Sequence, residues 1–138
     1  MHNPAMPRGG IEEITAAWLA VAENPGVDII GHCGTPAYPF DYERVIPAFG
    51  RAGKVVEINE GSFLVRADSL PNCRRIAELC ARHGVRVTLD SDAHYHQRMG
   101  RVPQCRRLLE EIGFPPELVV NGSRRTFADF CREKNIQL

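Results

Sequence analysis

The chain has 138 residues, of which 43% are hydrophobic and 25% are charged, and this composition is typical of a globular domain and excludes wholesale disorder. Its 17 Lys and Arg residues balance 17 Asp and Glu residues, so no net field attracts nucleic acid or an anionic membrane. The five cysteines form no C-x-x-C pair, which argues against a disulfide framework or a zinc knuckle. We therefore expect a cytoplasmic protein with no nucleic-acid or membrane partner.

Helical patterns recur along the chain, beginning with an Ala-rich amphipathic segment over 11–22. In each pattern the apolar residues have the spacing of one helix face. Pro47 weakens the second helix, because a proline inside a helix removes a backbone hydrogen bond. Asn121 or Ser123 is expected to cap the last helix. The predicted helices cover 11–22, 42–51, 72–83, 102–112 and 125–134.

Short apolar segments rich in β-branched residues lie between these helices. Near-continuous apolar runs of this length are typical of strands that are covered on both faces, as in parallel sheets. Strands that alternate with helices predict right-handed crossovers. Three or four such units amount to about half of a closed β/α barrel of about eight units. The predicted strands cover 27–32, 54–59, 85–90 and 118–120.

Histidine and aspartate residues stand where these strands end. His32 closes the first strand, while Asp92 and His94 follow the third, and His2 precedes the first helix. In parallel α/β folds, ligands gather at the carboxyl ends of strands because the loops there converge. Imidazole and carboxylate groups are ligands that suit zinc, manganese and iron. The sequence therefore predicts a divalent-metal site at this edge of the sheet.

Asp92 and His94 are two residues apart, so in an extended segment both side chains point to the same side. Bound metal lowers the pKa of water to near neutrality, and paired metals about 3.5–4 Å apart hold both oxygens of a phosphoryl transfer. Each residue also has a plainer interpretation. His32 alone is more often a hydrogen-bonded loop residue, and Asp92 alone is a candidate loop cap.

Several motifs occur in a fixed order: D-I-I-G-H at 28–32, E-I-N at 57–59 and S-D-A-H at 91–94. S-F at 62–63, M-G at 99–100 and N-x-S at 121–123 accompany them. Together they strongly resemble the PHP (polymerase and histidinol phosphatase) family, in particular its small bacterial metal-dependent phosphatases. The resemblance implies that residues 1–138 are one partial domain, the C-terminal portion of a distorted, TIM-like α/β barrel of about seven strands with up to three divalent metals.

The family's metal ligands transfer to four positions of this sequence. The resemblance implies that His2 and His32 share one metal, that Asp92 binds a neighbouring metal, and that His94 binds a third. The family's H-x-H strand end, two further histidines and a bridging glutamate would precede His2, so we expect the N-terminal strands and their ligands to be absent from this chain. His96, in the loop after the site, is a weak substitute.

Three further residues are expected to support the site. Glu57 and Asn59 would orient the metal ligands through hydrogen bonds, and such partners usually matter for metal affinity. A polar pair that caps the strand end is the alternative. Arg98 is expected to hold a substrate phosphate by a charge-assisted contact, with a simple surface arginine as the alternative.

The leading hypothesis is a metal-dependent phosphoric ester hydrolase that acts on small phosphorylated substrates. The alternative is a non-catalytic remnant or a partner-dependent subunit, because four ligands over three metals leave too few for each ion. A nuclease is less favoured, since the chain lacks net positive charge and aromatic–basic interleaving. The open edges of a half barrel invite pairing, so we expect self-association or a partner chain.

Overall fold

The computed structural model describes residues 9–65 and 67–137, which form a mixed α/β structure. Helices and strands alternate through most of the chain, as predicted. Three single-turn 3₁₀ helices connect them, at Ala67–Ser69, His96–Arg98 and Pro116–Leu118. The elements are α1 (Ile11–Glu23), β1 (Ile29–Ile30), α2 (Tyr42–Arg51), β2 (Val55–Asn59), α3 (Glu60–Val65), α4 (Leu70–His83), β3 (Val87–Asp90), α5 (Pro103–Glu111) and α6 (Arg124–Glu133).

The strands form a parallel sheet in the order β1-β2-β3, so the predicted parallel pairing is confirmed. In the register, Ile29 pairs with Val55, and Asn59 pairs with Asp90. The first strand is much shorter than the predicted 27–32, because the backbone leaves the extended region at His32. The three-stranded sheet is compatible with part of a β/α fold, and the closed barrel stays a prediction.

The predicted strand over 118–120 is reduced to one parallel bridge between Val87 and Val119. The Asn121 side chain extends the pairing, because its amide accepts from Leu89 N at 2.9 Å and donates to Leu89 O at 2.8 Å. A side-chain amide thus replaces a peptide group beside β3. Further strand pairing is unnecessary there, which explains why the segment is too irregular to count as a strand.

The helix predictions are confirmed with small shifts at the ends. Pro47 lies within α2 without breaking it. Ser123 caps α6 by accepting a hydrogen bond from Thr126 N, which settles the choice between the two predicted caps. α3 was not predicted, because its 6 residues are too few to show a helical period. Among the described residues, no helix combines the length and the apolar character needed to traverse a bilayer.

The two faces of the sheet differ in what covers them. Val56, Ile58 and Val87 belong to the large core that α1, α2, α4 and α5 complete. Val55 points to the opposite face and packs with Val120, Phe130 and Cys131 in a separate small core supplied by α6. Side chains alternate along strands, so Glu57, Asn59, Thr88 and Asp90 share that second face. This polar set occupies the carboxyl end of the face, beyond the part that α6 covers.

Candidate functional site

The carboxyl ends of three neighbouring strands carry the candidate side chains. His32 follows β1, Glu57 and Asn59 lie in the second half of β2, and Asp92 comes two residues after the end of β3. Since the strands are adjacent and parallel, their ends meet at one edge of the sheet. His32, Glu57, Asn59 and Asp92 therefore lie along the same edge of the sheet.

His32 and Asp92 both adopt the left-handed backbone conformation, with φ of 54° and 47°. Apart from glycines, Asn135 is the third residue with positive φ in the described part of the chain. A side chain in this region costs roughly 1–2 kcal/mol, because Cβ crowds the carbonyl oxygen. Such strain persists where the surroundings enforce it, and it clusters at functional sites. Two predicted ligands share this uncommon geometry.

Glu57 connects β2 to His32. Its Oε2 atom accepts a hydrogen bond from His32 N at 2.8 Å and lies 3.7 Å from His32 Nδ1. Its other oxygen accepts from Asn59 Nδ2 at 3.1 Å. Both side chains of the Glu57–His32 pair are mostly buried, with 14% and 13% exposed. A carboxylate beside one ring nitrogen is the usual way of orienting a metal-binding histidine.

Gly61 lies close to both Asn59 and Asp92. The amide oxygen of Asn59, which is buried, accepts a hydrogen bond from Ser62 N at 3.2 Å. A Cβ atom on Gly61 would lie 2.5 Å from Asp92 Oδ2 and 2.9 Å from Asn59 Oδ1. The Asp92 carboxylate therefore occupies space that only glycine leaves open. Sequence reasoning missed Gly61, and its position two residues after Asn59 is the only signal for it.

His94 is exposed, and its Nδ1 atom lies 2.8 Å from the backbone oxygen of Asp92. This contact is local and closes the turn that Asp92 begins. It fixes the ring through Nδ1, so Nε2 is the ring nitrogen directed away from the turn. Asp92 and His94 lie on the same loop, but Asp92 does not have the extended conformation that the same-side prediction assumed.

Asp90 is a further acidic group that the sequence reasoning did not single out. Burial raises the pKa of its carboxyl, and the negative charge of Glu57 raises it further, while a hydrogen bond from Thr88 acts in the opposite direction. The D-S-D pattern at 90–92 was the signal in the sequence for Asp90, because it puts a second carboxylate two residues before Asp92. The sheet edge thus concentrates negative charge, which favours a cation there.

The predictions also named His2, Arg98 and His96. His2 lies outside the described residues. Arg98 is exposed, with its guanidinium 5.8 Å above the Tyr95 ring, and His96 is exposed on the same loop.

Burial raises the pKa of the Cys33 thiol to about 12, with further contributions from Cys73 and Glu57, so this neighbour of His32 stays protonated. A protonated thiol is a poor metal ligand.

The donor types at this edge fit a divalent metal, but their number does not complete a site. Over residues 9–65 and 67–137, no three His, Cys, Asp or Glu side chains gather closely enough to hold an ion. Tight zinc sites use three or four protein ligands. Additional ligands would have to come from outside the described residues.

A pocket of about 730 Å³ lies between α5 and the segment that leads into α6. Leu109, Phe114 and Val119 line its apolar part, while Arg106 and Glu117 contribute charged groups. None of the predicted metal ligands in the described part of the chain lines it. The pocket is therefore separate from the strand-end cluster.

No family model matches the chain. It is similar to a protein of Clostridium novyi (strain NT) named as a probable phosphatase, with 40% identity over 135 residues. It is also similar to a probable phosphatase of Clostridium botulinum (strain Okra / Type B1), with 37% identity over 134 residues. Both alignments cover 97% of this chain and 55% of the relative. The chain thus spans about half the length of the curated relatives it matches.

Proposed function

We propose that this chain is the C-terminal part of a metal-dependent phosphatase of the PHP family, which hydrolyses small phosphate esters in the cytoplasm. The observation that carries the proposal is that His32 and Asp92 both have left-handed conformations just beyond the ends of parallel strands of one sheet. The names of the relatives, probable phosphatases, support the reaction class. The full domain would be a TIM-like barrel in which residues 1–138 form one part.

His2, His32, Asp92 and His94 would hold the metal in this proposal. A bound divalent zinc, manganese or iron ion supplies an activated water and neutralises the charge of the phosphate. Glu57 holds the His32 backbone and ring, so that the ring does not have to reorient when a ligand binds. Arg98 would approach the phosphate from the loop that carries His94, since a guanidinium binds phosphate oxygens in a fixed geometry.

Ligands beyond the described residues are required for a complete site. They would come from a longer form of the same protein, from a second copy or from a partner chain. The alternative function, a non-catalytic remnant or partner-dependent subunit, differs in that the chain would bind metal weakly and turn over no substrate by itself. The balanced charge of the chain favours a small phosphate ester over nucleic acid as substrate.

The direct test is hydrolysis of p-nitrophenyl phosphate by the purified protein, in the longest form that its gene encodes, stripped with EDTA and resupplied with Mn²⁺. We expect metal-dependent turnover that Asp92→Asn and His94→Ala each reduce about 10–100-fold, because each removes a ligand. His83→Ala is the matched control: this histidine is exposed at the end of α4, and its loss should leave turnover unchanged. Single-stranded DNA should not be cleaved.

Calorimetric titration with Mn²⁺ separates the two functions. Metal binding that depends on Asp92, without turnover, would favour the partner-dependent alternative. An absence of both metal binding and turnover would contradict the proposed site.

A further inference from the structure

Three residues of β2 and α3 lie between the two strained candidate ligands and are linked to one another. Glu57 contacts His32, while Gly61 lies close to both the Asp92 carboxylate and the Asn59 amide oxygen. Asn59 joins the two halves, because its Nδ2 atom donates to Glu57 Oε1 and its Oδ1 atom accepts from Ser62 N. We refer to Glu57, Asn59 and Gly61 as the β2 bridge.

We infer that the β2 bridge positions His32 and Asp92 jointly, so that a displacement at one of them is transmitted to the other. The inference rests on the proposed function for its consequence, which is coupled metal binding at the ends of β1 and β3. The bridge itself is a set of hydrogen bonds and close contacts that exists before any ligand binds. Its three members are positioning residues, since they act through His32 and Asp92.

Transmission begins at Gly61, where a methyl group has no room. The Cβ of an alanine would meet Asp92 Oδ2 at 2.5 Å and Asn59 Oδ1 at 2.9 Å. The Asp92 side chain is the easier of the two to displace, because its carboxylate is a flexible tip. The Asn59 amide is buried and bonded at both ends, so its displacement breaks the contact with either Ser62 or Glu57.

Transmission ends at His32, whose ring lies beside the same carboxylate. A negative oxygen near Nδ1 favours the tautomer with the proton on Nδ1. When Asn59 Nδ2 no longer donates to Glu57 Oε1, the carboxylate keeps only the hydrogen bond from His32 N, and its Oε2 atom can shift relative to His32 Nδ1. A methyl group at residue 61 should therefore alter the His32 ring, although Gly61 and His32 belong to different elements.

The test is the ¹⁵N-correlated NMR spectrum of the histidine rings, recorded without metal at pH 8. His32→Gln identifies the His32 signals by their loss. We expect the Nδ1-protonated tautomer in the wild-type chain, a shift toward the Nε2-protonated form in Glu57→Gln, and altered His32 ring signals in Gly61→Ala. The control is Gly50→Ala in α2, whose new carbon would lie 2.9 Å from Val85 Cγ2 and should leave the His32 ring signals unchanged.

His32 signals that are identical in the wild-type, Gly61→Ala and Glu57→Gln chains would overturn the inference. Mn²⁺ titration then gives an independent readout of the proposed function. If the bridge couples the two ligands, Gly61→Ala and Glu57→Gln each lower the Mn²⁺ affinity about 10–100-fold, and the double variant loses less than the product of the two factors. A product of independent factors would also overturn the coupling.

The experiment distinguishes a failure of the proposed function from a failure of the β2 bridge. A wild-type chain that does not bind Mn²⁺ contradicts the metal site, whereas the metal-free ring signals still decide whether the bridge positions His32. A melting temperature of Gly61→Ala equal to or above that of the wild-type chain shows that any loss of affinity is not a loss of folding. Alanine is otherwise the better helix former at that position in α3.

Discussion

At the scale of single residues, the notable feature is the conformation of two residues that a sequence pattern had already selected. His32 and Asp92 carry ordinary side chains in a backbone region that glycine occupies most easily. The folded chain tolerates the cost because neighbouring contacts hold each residue, including the hydrogen bond from His32 N to Glu57. The strained backbone at His32 and Asp92 lowers the stability of the folded chain at the two positions that the proposed chemistry needs.

This strain leads to a prediction for His32. Replacement by glycine should leave the chain about 1 kcal/mol more stable than replacement by alanine, since only alanine retains the crowded Cβ. The alanine variant is the matched control, because both substitutions remove the imidazole. Urea denaturation of the two variants measures the difference in free energy of unfolding, and equal stabilities would show that the left-handed conformation carries no strain.

At the scale of elements, two carboxylates at the end of β2 contact different parts of the structure. Glu57 faces the candidate site, whereas Glu60 turns the other way and accepts hydrogen bonds from Gln104 N and Cys105 N at the start of α5. A negative charge at a helix amino end meets unpaired N–H groups and the positive end of the helix dipole. Glu60 therefore docks α5, and with it the loop that leads from Asp92, onto the end of β2.

The expected result for Glu60 follows from its burial. Glu60→Ala should destabilise the chain by about 1–3 kcal/mol, because the buried N–H groups of α5 lose their acceptor. Glu60→Gln should cost less, since one amide oxygen remains. Chemical denaturation gives both values, and Glu110→Gln, on the exposed side of α5, serves as the control that should stay within experimental error. A null effect of Glu60→Ala would exclude the docking role.

At the scale of the whole molecule, the five cysteines all lie in the described part of the chain, where they are buried and form no disulfide bond. Burial is the main cause that raises the pKa of the Cys80 thiol, with a smaller contribution from Cys33. Burial, together with Glu60, also raises the pKa of Cys105. The folded chain therefore holds thiol protons at pH values where the unfolded chain has released them.

The consequence is a loss of stability at alkaline pH. Between pH 7 and about 8 the thiols are protonated in both the folded and the unfolded chain, so their contribution to the free energy of unfolding does not change. Above the ordinary thiol pKa of 9.0 the unfolded chain releases its thiol protons first, and the free energy of unfolding falls. Urea midpoints measured from pH 7 to 10.5 should decline above pH 9, and less steeply in Cys80→Ala. A midpoint that rises with pH would contradict the assignment.

Much of the fold and part of the candidate site follow from local patterns. The helix at 42–51 has the predicted bounds, and Ser123, one of the two predicted caps, caps the last helix. Local periodicity was sufficient there because each feature depends on residues a few positions apart. The four predicted metal ligands remain predictions, and His2 lies outside the described residues.

The sequence by itself determined the alternation of helices and parallel strands, and it predicted the strand ends that carry His32 and Asp92. Only the tertiary structure decided that α6 covers the face opposite the other helices, that Gly61 makes room for Asp92, and that Glu60 caps α5. The physical reason is the separation along the sequence of the residues that make these contacts. Periodicity and composition report on neighbours within a turn or a strand, whereas these contacts join residues that are distant in sequence and meet only after the sheet has formed.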